Sequence, residues 1–85
     1  MKNLPSALIV AATLATGLMP HAQTFQQSLA AAERGDDRVA FLGFKKLAEL
    51  GDIKSQGKMG LMYRNGLGVA KDDQQALNWY LKAAI

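Results

Sequence analysis

The sequence predicts an all-α fold, antiparallel helical hairpins packed in series, with about two hairpins following an apolar leader. Three observations carry that reading. After position 23 the apolar residues recur at helical spacing. Glycines close these stretches and aspartates open the ones that follow, as at Gly35-Asp36 and Gly51-Asp52. No strand-like alternation bounded by turns occurs. With 85 residues the chain makes one small domain at most. The absence of cysteine excludes a disulfide framework, a zinc finger, a thiol nucleophile and a lipoprotein anchor. Ten Lys+Arg against seven Asp+Glu give a net charge of +3, with both signs interspersed. Nucleic-acid binding draws on a basic run or stripe, so no nucleic-acid partner is expected.

The leader comes first. Lys2 is followed by no charged residue until Glu33, and residues 7–19 form an uncharged, mostly apolar run. A short positive start and an apolar stretch of that size match a secretory signal peptide. The run ends at Pro20-His21, short of the roughly 20 apolar residues that span a bilayer. No Arg-Arg pair is present, which favours the general secretory route. Cleavage is expected after Ala22, although Pro20 occupies the place that favours a small residue. A second site, after Gly17, has Ala15 in that place. The first gives a mature chain 23–85 that is secreted or periplasmic. Membrane association is expected only if the leader stays uncleaved.

Four helices are expected in the mature chain. Phe25, Leu29 and Ala32 share one face of the first, and Gly35 stops it. Asp36 or Asp37 caps the second, because a short carboxylate accepts an orphan backbone N–H. That helix carries Val39, Gly43, Phe44 and Leu47 on one face and ends at Leu50-Gly51. Asp52 caps the third, whose face is Ser55, Met59 and Met62 and whose end is Asn65-Gly66. After a loop through Gly68, Asp72 or Asp73 opens the fourth, with Ala76, Trp79, Tyr80 and Ala83 on its face.

The helices pair. Laying Lys46-Leu47-Ala48 on Lys82-Ala83-Ala84 also superposes Ala40 on Ala76, Gly43 on Trp79 and Phe44 on Tyr80, an offset of 36 residues. Periods of that size mark helical-hairpin repeats, which close their core by stacking.

Residues 48–84 carry a denser signature. It runs Ala48-Glu49-x-Gly51-Asp52, then Gln56, then Gly60-x-Met62-Tyr63-x-Asn65-Gly66-x-Gly68-Val69, then Asp72, Ala76-Leu77-x-Trp79-Tyr80 and Lys82-Ala83-Ala84. This resembles a Sel1-like repeat, a relative of the tetratricopeptide repeats. The resemblance implies an α/α solenoid with one full repeat at about 48–84 and a partial unit at about 24–47. It also assigns Gly51, Gly60, Tyr63, Gly66, Gly68, Ala76, Trp79 and Ala83 to the structural motif. Three positions depart from the pattern: Gly57 replaces a bulky residue, Ala70 a proline and Ser55 an alanine. Tyr63, Trp79 and Tyr80 are expected to supply most of the aromatic burial. At least one of Trp79 and Tyr80 is expected in the groove between the last two helices.

No constellation for catalysis, cofactor or metal binding emerges. His21, the lone histidine, sits at the cleavage junction, which leaves Ser28 and Ser55 no base in the mature chain. Asp36-Asp37 and Asp72-Asp73 each precede a helix and read as caps rather than metal ligands. Gly66-Leu67-Gly68 lacks the Gly-Lys-Ser/Thr of a phosphate loop. What stands out is Lys54, Lys58 and Leu61, at i, i+4 and i+7 on the third helix, opposite Ser55, Met59 and Met62. In tetratricopeptide-like stacks the first helix of each pair lines the concave groove. This stripe is therefore the candidate binding surface, suited to an acidic or extended peptide.

The expected function is an exported helical-repeat scaffold or adaptor, not an enzyme, that binds another protein or peptide through its concave face. The alternative is a cell-wall-associated enzyme or inhibitor, because cysteine-rich Sel1-like relatives have been linked to β-lactam binding or hydrolysis. This chain lacks their cysteines and any nucleophile–base pair. The sequence ends directly after the Lys-Ala-Ala element, where relatives continue into another helix. The outward face of the last helix, with Leu77, Leu81 and Ile85, is accordingly expected to be uncovered. That face is met by self-association, by a partner, or by the rest of a longer protein.

Overall fold

The computed structural model describes residues 24–85; the expected leader, its cleavage after Ala22 and His21 lie outside them. Helices α1 (Phe25–Glu33), α2 (Asp37–Glu49), α3 (Ile53–Asn65) and α4 (Asp73–Ala84) follow in order. Each packs principally on its neighbours in sequence, α1 on α2, α2 on α3 and α3 on α4. The architecture is that of sequential hairpins. Among the described residues, no helix is long and apolar enough to cross a membrane.

Helix boundaries follow from local chemistry. Asp52 and Asp72 cap α3 and α4 by accepting the N–H of Ser55 at 2.9 Å and of Gln75 at 3.1 Å. Thr24 opens α1 through a capping box: its Oγ1 accepts the N–H of Gln27, whose side chain accepts the Thr24 N–H. Asp36 differs from the expectation. It occupies the N-cap position of α2 without a capping bond, because its ψ of 66° departs from the extended backbone of the other caps. Its carboxylate meets Arg34 Nη2 at 3.4 Å instead. Asp73 pairs with Lys71 at 2.7 Å, so Asp72 alone caps α4.

Two linkers share one device. The Asp36 N–H donates to the Ala31 carbonyl at 2.8 Å and the Asp52 N–H to the Leu47 carbonyl at 3.1 Å. Each bond ties off the helix behind, with Gly35 and Gly51 in left-handed backbone just before. Asp52 thus closes α2 with its backbone and opens α3 with its side chain.

The core comprises Ala31, Ala40, Phe41, Phe44, Ala48, Met59 and Met62. Phe44 meets Phe25 edge-on at 5.3 Å between ring centres, and Phe41 meets Tyr63 edge-on at 5.5 Å. The face expected for α2 therefore needs correction. Val39 is 44% exposed, whereas Phe41 and Ala48 are buried. A helix packed between two neighbours buries two stripes, and Phe44 serves α1 while Phe41 serves α3. On α1 the fully buried pair is Ser28 and Ala31, with Phe25, Leu29 and Ala32 half-buried around them. The aromatic burial is also redistributed: Phe41 and Phe44 are buried, while Tyr63, Trp79 and Tyr80 are half-buried. Burying a ring such as that of Phe44 contributes on the order of 2–3 kcal/mol.

Two glycines set how closely the pieces approach. A β-carbon on Gly60 would lie 2.6–2.9 Å from three atoms of the Tyr80 ring, so α3 and α4 meet ring against backbone there. Gly68, with φ of 74°, runs against the backbone of Asp37 and Arg38 at the start of α2. A β-carbon there would collide with the Asp37 carbonyl. At Gly57 nothing lies within 4 Å of that position.

Alanine substitutions at these sites should diverge. Gly57→Ala should stabilise by up to about 1 kcal/mol through helix propensity. Gly60→Ala makes the same gain but meets the Tyr80 ring, for a net loss of up to about 2 kcal/mol. Gly68→Ala should cost at least about 1–3 kcal/mol for its left-handed backbone alone. Chemical denaturation of the three variants checks the order; equal midpoints would contradict it.

Candidate partner-binding surface

The candidate surface is built on α3. Its inner side is held by Ser55, Gln56, Met59, Gly60 and Met62, all buried. Gln56 was not foreseen as an inner residue. Its Nε2 donates to the Ala48 carbonyl at 3.2 Å, a buried bond that ties α3 to α2. A glutamine in the first turns of a helix reads as surface from its polarity, and only its one-turn relation to Met59 and Gly60 hints otherwise. With the inner side anchored, Lys54, Lys58 and Leu61 lie outside that buried set; Lys54 and Leu61 are exposed and Lys58 is half-buried.

Lys54 reaches toward the first hairpin, its Nζ standing 5.9 Å from the centre of the Phe25 ring. That cation–π contact joins the two first helices, α1 and α3, along one side. Neither Lys54 nor Lys58 forms an ion pair among the described residues; the pairs are Arg34–Asp36, Lys45–Glu49 and Lys71–Asp73. Gly57, between the two lysines, leaves open space above the helix. The surface thus offers two ammonium groups, the Leu61 side chain and a gap at Gly57. Groups of that kind attract carboxylates and accommodate an apolar side chain between them; they carry no nucleophile–base pair.

The motif residues fall into two groups. Gly51, Gly66 and Gly68 supply positive φ at turns, Gly66 closing α3 with φ 68° and ψ 43°. Gly60, Tyr63, Ala76, Trp79 and Ala83 lie on the packed sides of α3 and α4, Ala76 buried and Tyr63, Trp79 and Ala83 half-buried. Tyr80, against Gly60, is the ring in the α3–α4 groove. Trp79 packs on the core margin and carries Lys82 Nζ 4.9 Å from its ring centre. The loop after Gly66 is tied back by the Asp72 N–H, which donates to the Tyr63 carbonyl at 2.8 Å.

Hairpins stacked in sequence, with a glycine-kinked loop returning onto the preceding hairpin, define a helical-repeat protein. Residues 53–85, which span α3, its loop and α4, match the family model for the Sel1 repeat. The hairpin of α3 and α4 is thus a Sel1 repeat. No solved structure matches the chain.

Asp52 links this surface to pH. Its carboxyl lies below the ordinary 3.8, chiefly because the Ser55 hydroxyl donates to it at 2.6 Å, and further because of the Ser55 N–H and nearby Lys54. Folding therefore favours the ionised form. Its contribution is complete above the ordinary value and is lost as pH falls through the lowered one. Melting of the wild type should fall more steeply than that of Asp52→Asn between about pH 5 and 2, since the amide accepts from Ser55 at every pH. Equal slopes would contradict the carboxylate's role.

Proposed function

We propose that this protein is an exported, non-catalytic scaffold that captures an acidic, extended segment of another protein along the α1–α3 side. Sel1 helical repeats are commonly used in protein–protein interaction. The observation that carries the reading is that, among the described residues, Lys54 and Lys58 stand outside the ion pairs, with the open position at Gly57 between them in sequence. Their charges are available to a partner. Export rests on the uncharged run at 7–19 behind Lys2.

A photo-crosslinking residue at Leu61 should join the chain to an envelope or secreted protein. Lys54→Glu with Lys58→Glu should abolish that adduct while leaving the circular dichroism unchanged. An adduct that survives charge reversal, or one equally strong from a crosslinker at Leu42 on α2, would contradict the proposed surface. Mass spectrometry of the exported product should place its N-terminus near Gln23; a full-length cytosolic product would contradict export.

A further inference from the structure

The two first helices of the hairpins, α1 and α3, can be laid on each other by their ends. Helix α1 stops at Glu33 and α3 at Asn65, an offset of 32 residues. That register places Ser28 on Gly60, two small residues that are both buried, and Phe25 on Gly57. The second helices follow the 36-residue offset, which places Phe44 on Tyr80. The offsets differ by four because the loop at 66–72 has seven residues where the one at 34–36 has three.

In both hairpins an aromatic ring of the second helix faces the first, but the two rings meet different things. Phe44 stands edge-on to Phe25, with 5.3 Å between ring centres and 63° between planes, and is 1% exposed. Tyr80 stands over Gly60, where a β-carbon would lie 2.6–2.9 Å from Cγ, Cδ1 and Cε1 of its ring. One turn nearer the start of α3, by about 4.5 Å, Gly57 occupies the position that Phe25 has in the first hairpin. Nothing lies within 4 Å of where a β-carbon on Gly57 would stand, and Tyr80 is half-buried. The second hairpin keeps one ring of the pair and lacks the other.

The surroundings of Gly57 point to what fits there. Lys54, three residues before it, and Leu61, four after, share its side of α3, and Lys58 is next in sequence. Tyr80 supplies the bed for a ring-to-ring contact, as Phe44 does for Phe25. The ammonium groups favour a ring over an aliphatic chain, because the face of a ring attracts a cation. Lys54 Nζ already stands 5.9 Å from the Phe25 ring centre. Charge complementarity with Lys54 and Lys58 places carboxylates beside that ring.

We propose that the segment captured on the α1–α3 side carries an aromatic residue next to its carboxylates. Its ring docks at Gly57 against Tyr80, in the place that Phe25 fills in the first hairpin. This rests on the basic surface of α3 proposed above and adds the side chain that the surface selects.

Chemical-shift titration of the full chain at low salt tests it, with the peptide Asp-Glu-Phe-Glu-Asp and its analogues carrying Leu or Ala at the centre. The Phe peptide should bind about two- to tenfold tighter than the Leu peptide, the increment of an aromatic pair beyond its area, and tighter still than the Ala peptide. Gly57→Phe fills the opening from within, so that variant should bind the three peptides alike. It should also melt about 4 °C or more above Gly57→Ala. Phenylalanine is a poorer helix former than alanine, so this gain reports packing, and it should shrink in a Tyr80→Leu background. Equal affinity of the wild type for all three peptides would overturn the aromatic site and leave the charged surface standing. Failure of all three to bind would overturn the charged surface and this inference with it. A Gly57→Phe chain that still prefers the Phe peptide, or that melts no higher than Gly57→Ala, would overturn the placement of the ring at Gly57.

Discussion

At Gly68 the loop between α3 and α4 runs so close to the first turn of α2 that no β-carbon fits between the two backbones. The relation of the second hairpin to the first depends on this contact. The loop is held from both ends, by the glycine close to Asp37 and Arg38 and by the Asp72 N–H on the Tyr63 carbonyl. With the loop fixed there, α3 lies along α2, so Tyr63 reaches Phe41 and Gln56 reaches Ala48. Helix α4 then begins at Asp72 already directed onto Gly60. A chain of this size has few buried side chains to spare, and its net stability is a small difference between large terms.

The same logic explains the two kinds of exposed surface. The outer side of α3 is exposed because its inner side is committed to Ser55, Met59 and Met62, and it is basic with an opening at Gly57. On the outer side of α4, Leu77 and Leu81 are half exposed among the described residues. The α3 surface suits a partner that carries carboxylates. The two lie on different helices.

Much of the fold was legible in the sequence because its signals are local. Asp52 and Asp72 cap, Gly35, Gly51 and Gly66 stop, and Ser55, Met59 and Met62 on the inner face of α3 follow from helical spacing, though the buried Gln56 beside them does not. What escaped was set by neighbours distant in sequence. Val39 and Phe41 differ by two positions, and only the location of α3 decides which of them is covered. Asp36 has the chemistry of a cap but not the backbone angle, which the close of α1 imposes. The contact of Gly68 with Asp37 joins residues 31 apart, and no local pattern records it. At the candidate surface, Lys54, Lys58 and Leu61 were readable as a stripe, whereas the reach of Lys54 to Phe25 needed both hairpins in place.

The central claim is that the two hairpins form one cooperative unit through the Gly68 contact and the α2–α3 face. Native-state hydrogen exchange along a denaturant gradient tests it most directly. The amides of Phe44 in α2 and Tyr80 in α4 should converge on a single opening free energy and a single denaturant slope, as members of one unfolding unit do. Tyr80 exchanging through a separate opening of lower free energy and shallower slope, with Phe44 still protected, would show that the second hairpin unfolds alone and would contradict the account.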